Sequence, residues 1–170
     1  MEITGIPGAF STHPKVHMDD RGSFAEIFRQ DHLGAAFVQA NHSRSNQGVL
    51  RGLHWHRHQA DAWYVINGHA QAMLADLRTP CDNPAVASID LIGGEPQVLY
   101  IPPGVAHGFL AVTQVDLIYW VTAYYDASDE HGVAWDDPTI QAPWKLDNPV
   151  LSDRDKNNPK LSWESIDLSW

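Results

Sequence analysis

At 170 residues the chain has the size of one domain and is long enough to bury a full core. Its hydrophobic fraction of 44% and charged fraction of 19% are those of an ordinary soluble globular protein. The formal net charge of −10 argues against broad binding to nucleic acid or anionic membrane, because neither polyanion is drawn to such a surface. A small phosphorylated ligand needs only a local group of arginines, for which Arg21, Arg51 and Arg154 are candidates. No run approaches the length of a membrane span, and Met1–Phe10 lacks the charged start and apolar stretch of a signal peptide. Cys81 is the single cysteine, which excludes an internal disulfide and fits a reducing compartment. A cytoplasmic protein is expected.

Beta-type runs dominate the chain. Phe24–Phe28, Ala36–Ala40 and Val49–Trp55 are short and apolar, with polar or glycine-containing segments between them. Ala62–Ile66, His69–Leu77, Val86–Ile92, Gln97–Ile101, Gly108–Val112 and Val115–Tyr125 follow. Asn67-Gly68 between two such runs predicts a hairpin, since both residues accept positive φ. Thr79–Pro84 and Gly93–Pro96 carry further breakers. There is no convincing long amphipathic helix, repeat, low-complexity stretch or linker, so residues 1–170 read as one domain. Many short strands at close spacing predict an all-β sandwich or barrel. The tail after Asp126, rich in Pro, Asp, Asn and Trp, predicts loops with short turns or helices packed back on the barrel. The run around Arg21–Phe28 either completes its own sheet or adds to a neighbour's.

Groups capable of chemistry gather in Val49–Gly68 (VLRGLHWHRHQADAWYVING), which holds Arg51, His54, His56 and Asp61. His54 and His56 are two apart, so an extended strand points both to one face and Trp55 to the other. A second cluster, Ile101–Phe109 (IPPGVAHGF), offers His107. Asp61 follows His56 after four intervening residues and Gly68 follows after six more; Pro102, Gly104 and His107 supply a second half. This two-part spacing resembles the cupin superfamily, with aspartate where that pattern usually has glutamate. The resemblance implies a jelly-roll β-barrel with its site in the interior.

A narrower resemblance runs through nearly the whole chain. It is carried by Asp20–Glu26 (DRGSFAE), Phe37–Ser43 (FVQANHS), Val49–His54 (VLRGLH), Asp76–Arg78 (DLR) and Ile101–Phe109. Tyr119, Tyr124-Tyr125, Gly132–Pro138 (GVAWDDP) and Leu151–Asp155 (LSDRD) continue it in the same order. The sequence resembles the dTDP-4-dehydrorhamnose 3,5-epimerase family, itself cupin-like. That family inverts C3 and C5 of a nucleotide-linked 4-keto-6-deoxy sugar in deoxysugar biosynthesis. Both carbons are α to a ketone, so the reaction needs a base of near-neutral pKa, a donor on the opposite face and stabilisation of an enolate.

The resemblance implies that His54 is the base, that Asp155 orients it and balances its charge, and that Tyr119 is the acid on the far face. It further implies that Arg51 and His107 face the sugar or phosphates and that Arg154 meets the diphosphate. Gln39 and Asn41 would hydrogen-bond the ligand, and Tyr124 would stack on the base. Arg21, Phe24 and Glu26 would form another part of the nucleotide site, contributed across a homodimer. Read without the resemblance, Tyr119 is an ordinary strand aromatic and Asp155 a turn residue.

Three positions depart from the family. Asp61 stands where the family has a lysine that helps hold the developing oxyanion, His56 stands for a glutamine, and Ala72 for an acid on the next strand. One explanation is an epimerase with altered substrate or restricted to one carbon, with His56 or Arg51 supplying the missing positive charge. Another is one divalent metal ion held by His54, His56, Asp61 and His107, in which case a ligated His54 is no longer a free base. Asp61 paired with a neighbouring histidine or arginine is the plainest explanation. An epimerase without a required cofactor is the favoured expectation, ahead of a metal-dependent cupin and of a non-catalytic sugar-nucleotide binding module.

Overall fold

The computed structural model describes residues 1–164 and 166. Two five-stranded sheets, all of whose pairings are antiparallel, pack face to face as a jelly roll. In chain order the elements are β1 (Phe10–Thr12), β2 (Val16–Asp19), β3 (Gly22–Ala25), α1 (Gln30–Leu33), β4 (Gln39–Ser45) and β5 (Leu50–Trp55). They continue with β6 (Asp61–Asn67), β7 (His69–Asp76), β8 (Val86–Ile92), β9 (Val98–Ile101), β10 (Val105–Ala111) and β11 (Val115–Val121). The described chain ends with β12 (His131–Gly132) and α2 (Asp153–Lys156). One sheet has the order β1-β9-β6-β11-β4, the other β12-β5-β10-β7-β8, and β2 and β3 form a separate hairpin.

Period-two alternation sorts the side chains into three layers. Trp63, Val65, Leu74, Leu99, Val105, Phe109 and Leu117 point between the sheets and form the interior core. Leu53, Trp55, Met73, Ala75 and Ala106 point outward from the second sheet, where the tail residues Val133, Ile140, Trp144 and Ile166 cover them. Ala62, Tyr64, Val98 and Trp120 point outward from the first sheet and are covered by Leu33, Phe28 and Phe37. This second role for apolar residues explains where the sequence reading misplaced strands. Phe28 stacks on Trp120 with ring centroids 5.0 Å apart and meets Phe37 edge-on at 5.5 Å. The run Phe24–Phe28 therefore leaves its strand after Ala25, and Ala36–Ala40 only begins a strand at Gln39.

Two further expectations change. Asn67-Gly68 does not make a hairpin, because β6 lies in one sheet and β7 in the other. Gly68, at φ 89°, is instead the corner at which the chain changes sheets. The run Val115–Tyr125 stops as a strand at Val121; Thr122 turns the chain by accepting a 2.8 Å hydrogen bond from the Ala60 amide, and Tyr124 and Tyr125 emerge exposed. The strands β1, β2 and β12 and the helix α1 were not anticipated from the sequence, whereas α2 falls in the tail expected to hold short turns or helices. No helix among the described residues is long and apolar enough to cross a membrane.

Candidate active site

One β-bulge places the site. In the β5–β10 pairing His107 lies opposite His54 and Phe109 opposite Arg51, so two residues of β5 face one of β10. Arg51 and His54 are three apart and would point to opposite faces of a regular strand. The extra residue turns both inward. It is possible because Gly52 and Gly108 cross in contact: a Cβ on Gly108 would lie 2.6 Å from the Arg51 carbonyl, and one on Gly52 would lie 2.7 Å from the Gly108 Cα. Past the bulge the alternation resumes, with His54 and His56 inward and Trp55 outward as expected.

The inward side chains line a cavity of about 340 Å³ between the sheets. Arg51, His54 and His107 come from the second sheet, and Asp61 and Tyr119 from the first. Arg154 and Asp155 reach the same cavity from α2, about a hundred residues along the chain from His54. Ser152 caps that short helix by accepting from the Asp155 amide at 3.1 Å. Its own hydroxyl donates to Asp155 Oδ2 at 2.9 Å. The other oxygen, Oδ1, takes the Nε2 proton of His54 at 2.6 Å. Burial pushes the Asp155 carboxyl up, but the hydrogen bond and charge of His54, the Ser152 hydroxyl and Arg154 outweigh it and hold the group below the usual carboxylate range. With Nε2–H directed at an ionised carboxylate, Nδ1 of His54 is the atom left to accept a proton.

Tyr119 faces this histidine from the opposite sheet. Burial raises its hydroxyl pKa, the nearby charges of Asp61 and Glu130 raise it further, and Arg51 opposes them. It is a protonated donor at neutral pH. Arg51 is held by a 2.9 Å bond from Nε to Ser45 Oγ, and Arg154 by Glu130 at 2.6 Å.

His56, Asp61 and His107 are all buried and each offers one donor atom within 4.8 Å of the others. His107 Nδ1 donates to the Val105 carbonyl and His56 Nδ1 to the Asp129 carbonyl, both at 2.9 Å. Asp61 accepts from Gln59 Nε2 at 2.8 Å and Trp63 Nε1 at 3.1 Å, and His107 Nε2 lies 3.9 Å from it. Burial pushes His107 down to about 4, against the attraction of Asp61. His54 is outside this cluster, its Nε2 engaged by Asp155. Of the four residues named in the metal alternative, three share this cluster. Ala72, at the position of the absent acid, is fully buried opposite Phe109.

The remaining expected residues are not brought to the cavity wall. Gln39 and Asn41 share the inward face of β4 and bond to each other at 2.8 Å; Asn41 lies opposite Tyr119 in register. Arg21 and Phe24 sit on the β2–β3 hairpin with Glu26 just beyond it; Arg21 pairs with Asp19, and Phe24 is 69% exposed. Tyr124 is exposed after β11. Sequence reading missed Ser43, Gln59, Trp63, Glu130 and Ser152, which also line the cavity. Ser43 continues the Gln39, Asn41 alternation and Trp63 follows Asp61 by two, so period two contains both. Ser152 carries the S-x-x-D spacing of a helix cap. Glu130 has no local signal.

The sequence profile described as dTDP-4-dehydrorhamnose 3,5-epimerase matches residues 3–162. A Bacillus subtilis spore coat polysaccharide biosynthesis protein, SpsL, is 41% identical over 137 residues, covering 77% of this chain and 91% of its own. Among solved structures, a Bacillus anthracis dTDP-4-dehydrorhamnose 3,5-epimerase with TDP and PPi bound superposes with a TM-score of 0.85 at 32% identity, over 90% of this chain and 94% of its own. ChmJ, a 3'-monoepimerase from Streptomyces bikiniensis in complex with dTDP-quinovose, gives 0.84 at 29% identity, over 94% and 87%. With a profile match over nearly the full length, on a jelly roll whose sheets hold His54 and Tyr119 across one cavity, the chain belongs to the dTDP-4-dehydrorhamnose 3,5-epimerase family.

Proposed function

We propose that the protein is an epimerase that inverts C3, C5 or both of a nucleotide-linked 4-keto-6-deoxyhexose, with dTDP as the carrier, in deoxysugar biosynthesis. The observation that carries the reading is the His54–Asp155 pair, which shares one cavity with Tyr119 from the opposite sheet. Nδ1 of His54 removes the proton from a carbon α to the C4 ketone. The C–H electrons move into a C–C double bond while the ketone oxygen takes up the charge. The Tyr119 hydroxyl delivers a proton to the opposite face of the same carbon, the enolate electrons return, and the ketone re-forms with that centre inverted. Tyr119 recovers its proton from solvent, and imidazolium gives its own up. Asp155 orients the imidazole and balances its positive charge.

The relatives divide on how many centres change. The Bacillus anthracis protein is a 3,5-epimerase and ChmJ a 3'-monoepimerase, and both have bound dTDP-type ligands. Arg51 and Arg154 would meet the sugar and the diphosphate, and Gln39 and Asn41, on the same face of β4 as the cavity-lining Ser43, would hydrogen-bond the ligand. Arg21, Phe24, Glu26 and Tyr124 do not line the cavity of their own chain, which fits a nucleotide site shared between two copies. A nucleotide-sugar substrate and a lone exposed thiol, Cys81, suit the cytoplasm.

The test is proton exchange in deuterated solvent with dTDP-4-keto-6-deoxyglucose, followed at C3 and C5. Wild type is expected to incorporate deuterium at one or both carbons, and His54→Ala to lose about 10²–10⁴-fold in rate. Exchange at the wild-type rate in His54→Ala overturns the reading. A thermal shift with dTDP but no exchange by wild type identifies a binding module instead.

A further inference from the structure

Asp61 is the residue that the proposed chemistry accommodates least well. Proton removal puts negative charge on the C4 oxygen, and a buried carboxylate in the same cavity repels it. The neighbours of Asp61 suggest what offsets this. The Val105 and Asp129 carbonyls can only accept, so Nδ1 of His107 and of His56 must each carry the proton they share with them. In the neutral rings that leaves both Nε2 atoms as bare lone pairs. One ligand atom from each of His56, Asp61 and His107 lies within 4.8 Å of the others, and with both Nδ1 atoms spent on carbonyls, Nε2 is the nitrogen each ring can offer. Fixing the far ring nitrogen on a backbone carbonyl is how proteins orient metal-binding histidines. The Asp61 carboxylate is itself oriented by Gln59 and Trp63. At 3.9 Å, His107 Nε2 and Asp61 Oδ2 are within ion-pair range but too far apart for a hydrogen bond, so their contact leaves the Nε2 lone pair uncommitted.

We propose that His56 Nε2, His107 Nε2 and an Asp61 oxygen bind one divalent transition-metal ion, leaving His54 free as the base. Two imidazoles and one carboxylate suit zinc, iron(II), nickel and manganese, and leave open positions for water or a substrate oxygen. Metal–ligand bonds of about 2.0–2.2 Å hold adjacent donors about 3 Å apart, so the three side chains close on the ion by between one and two ångströms. A divalent ion adds two positive charges to the cluster, in the cavity where the C4 oxygen becomes anionic. The role for that charge rests on the epimerase reading; the binding itself does not.

The test therefore separates the two. Protein purified without an affinity tag is analysed for bound metals, stripped with chelator and titrated with Co²⁺ alone, following the visible d–d absorption. Wild type and His54→Ala are expected to bind one Co²⁺ per chain. His56→Gln, Asp61→Asn and His107→Gln are each expected to weaken binding by about 100-fold or more while circular dichroism shows them folded. Folded wild type that binds no Co²⁺, or binding that survives Asp61→Asn and His107→Gln, overturns the site. Deuterium exchange is then compared in loaded and stripped protein. Exchange that is at least about tenfold faster when loaded supports the role of the ion, and equal rates overturn that role while leaving the epimerase reading intact. If Co²⁺ binds but neither form exchanges, the epimerase reading fails and the metal site stands. Asp61→Lys gives a second check, since it places a cation directly in the cavity; it is expected to lose Co²⁺ yet exchange faster than stripped wild type.

Discussion

Asp155 uses its two oxygens for different partners, His54 on one and Ser152 on the other, and both favour the ionised form. Because its folded pKa is depressed, the pair stabilises the fold above the ordinary carboxylate value near 3.9, and that contribution is lost as pH falls through the lower folded value. Asp155→Asn is accordingly expected to lower stability at pH 7 by roughly 1–3 kcal/mol, the range for a hydrogen bond to a charged group. The gap to wild type should narrow below about pH 4, as urea denaturation at several pH values will show. Tyr119→Phe removes the opposite-face donor but not the base. It is expected to keep deuterium exchange from the His54 face while formation of inverted product falls about 10²–10⁴-fold, measured by NMR of the sugar. Parallel loss of exchange and inversion would make Tyr119 a structural residue. At this scale the sequence placed His54 by its spacing to His56, whereas Tyr119 and Asp155 had no local signal and were named only by resemblance.

Among the elements, β5 decides the most. Its alternation is legible, and it correctly separates His54 and His56 from Trp55. The same rule would send Arg51 outward, and only the extra residue opposite Gly108 brings it into the cavity. Gly108→Ala would drive a methyl group into the Arg51 carbonyl and the Gly52 Cα. The strands must then separate, so a loss of roughly 1–3 kcal/mol in denaturant unfolding is expected, as for overpacking in a close-packed interior. A greater loss of activity than of stability should accompany it, because Arg51 and His54 depend on that register. Gly68 shows the opposite limit of local reading. Its positive φ was legible in Asn67-Gly68, but that angle serves a two-residue hairpin and a corner between sheets equally well.

At the scale of the molecule, Arg21 and Phe24 sit on an exposed hairpin that does not line the cavity of their own chain. If that hairpin completes the nucleotide site of a second copy, two inactive variants should complement each other. A mixed dimer of His54→Ala and Phe24→Ala chains would hold one site with both residues intact, so activity returns on mixing after brief dissociation. No recovery, or a single-chain mass in sedimentation, would place Phe24 outside any shared site.

Period-two hydrophobicity and turn residues sufficed for an all-β domain of short strands, because alternation and glycine or proline punctuation are local properties. Strand parity sufficed to put His54 and His56 on one face, because alternation within a strand fixes which side chains share it; Asp61 and His107 joined them only through the cupin resemblance. Folding divided that set, giving His54 to Asp155 and leaving the other three together. That division depends on α2, which comes about a hundred residues later and is held by the return of the chain along β5 through the Leu50–Val150 backbone bond at 3.0 Å. Side-chain partners across such a separation leave no trace in local pattern, since their meeting is set by how the sheets and tail pack. Val49–Gly68 supplied the reactive groups, and the packing gave each one its partner.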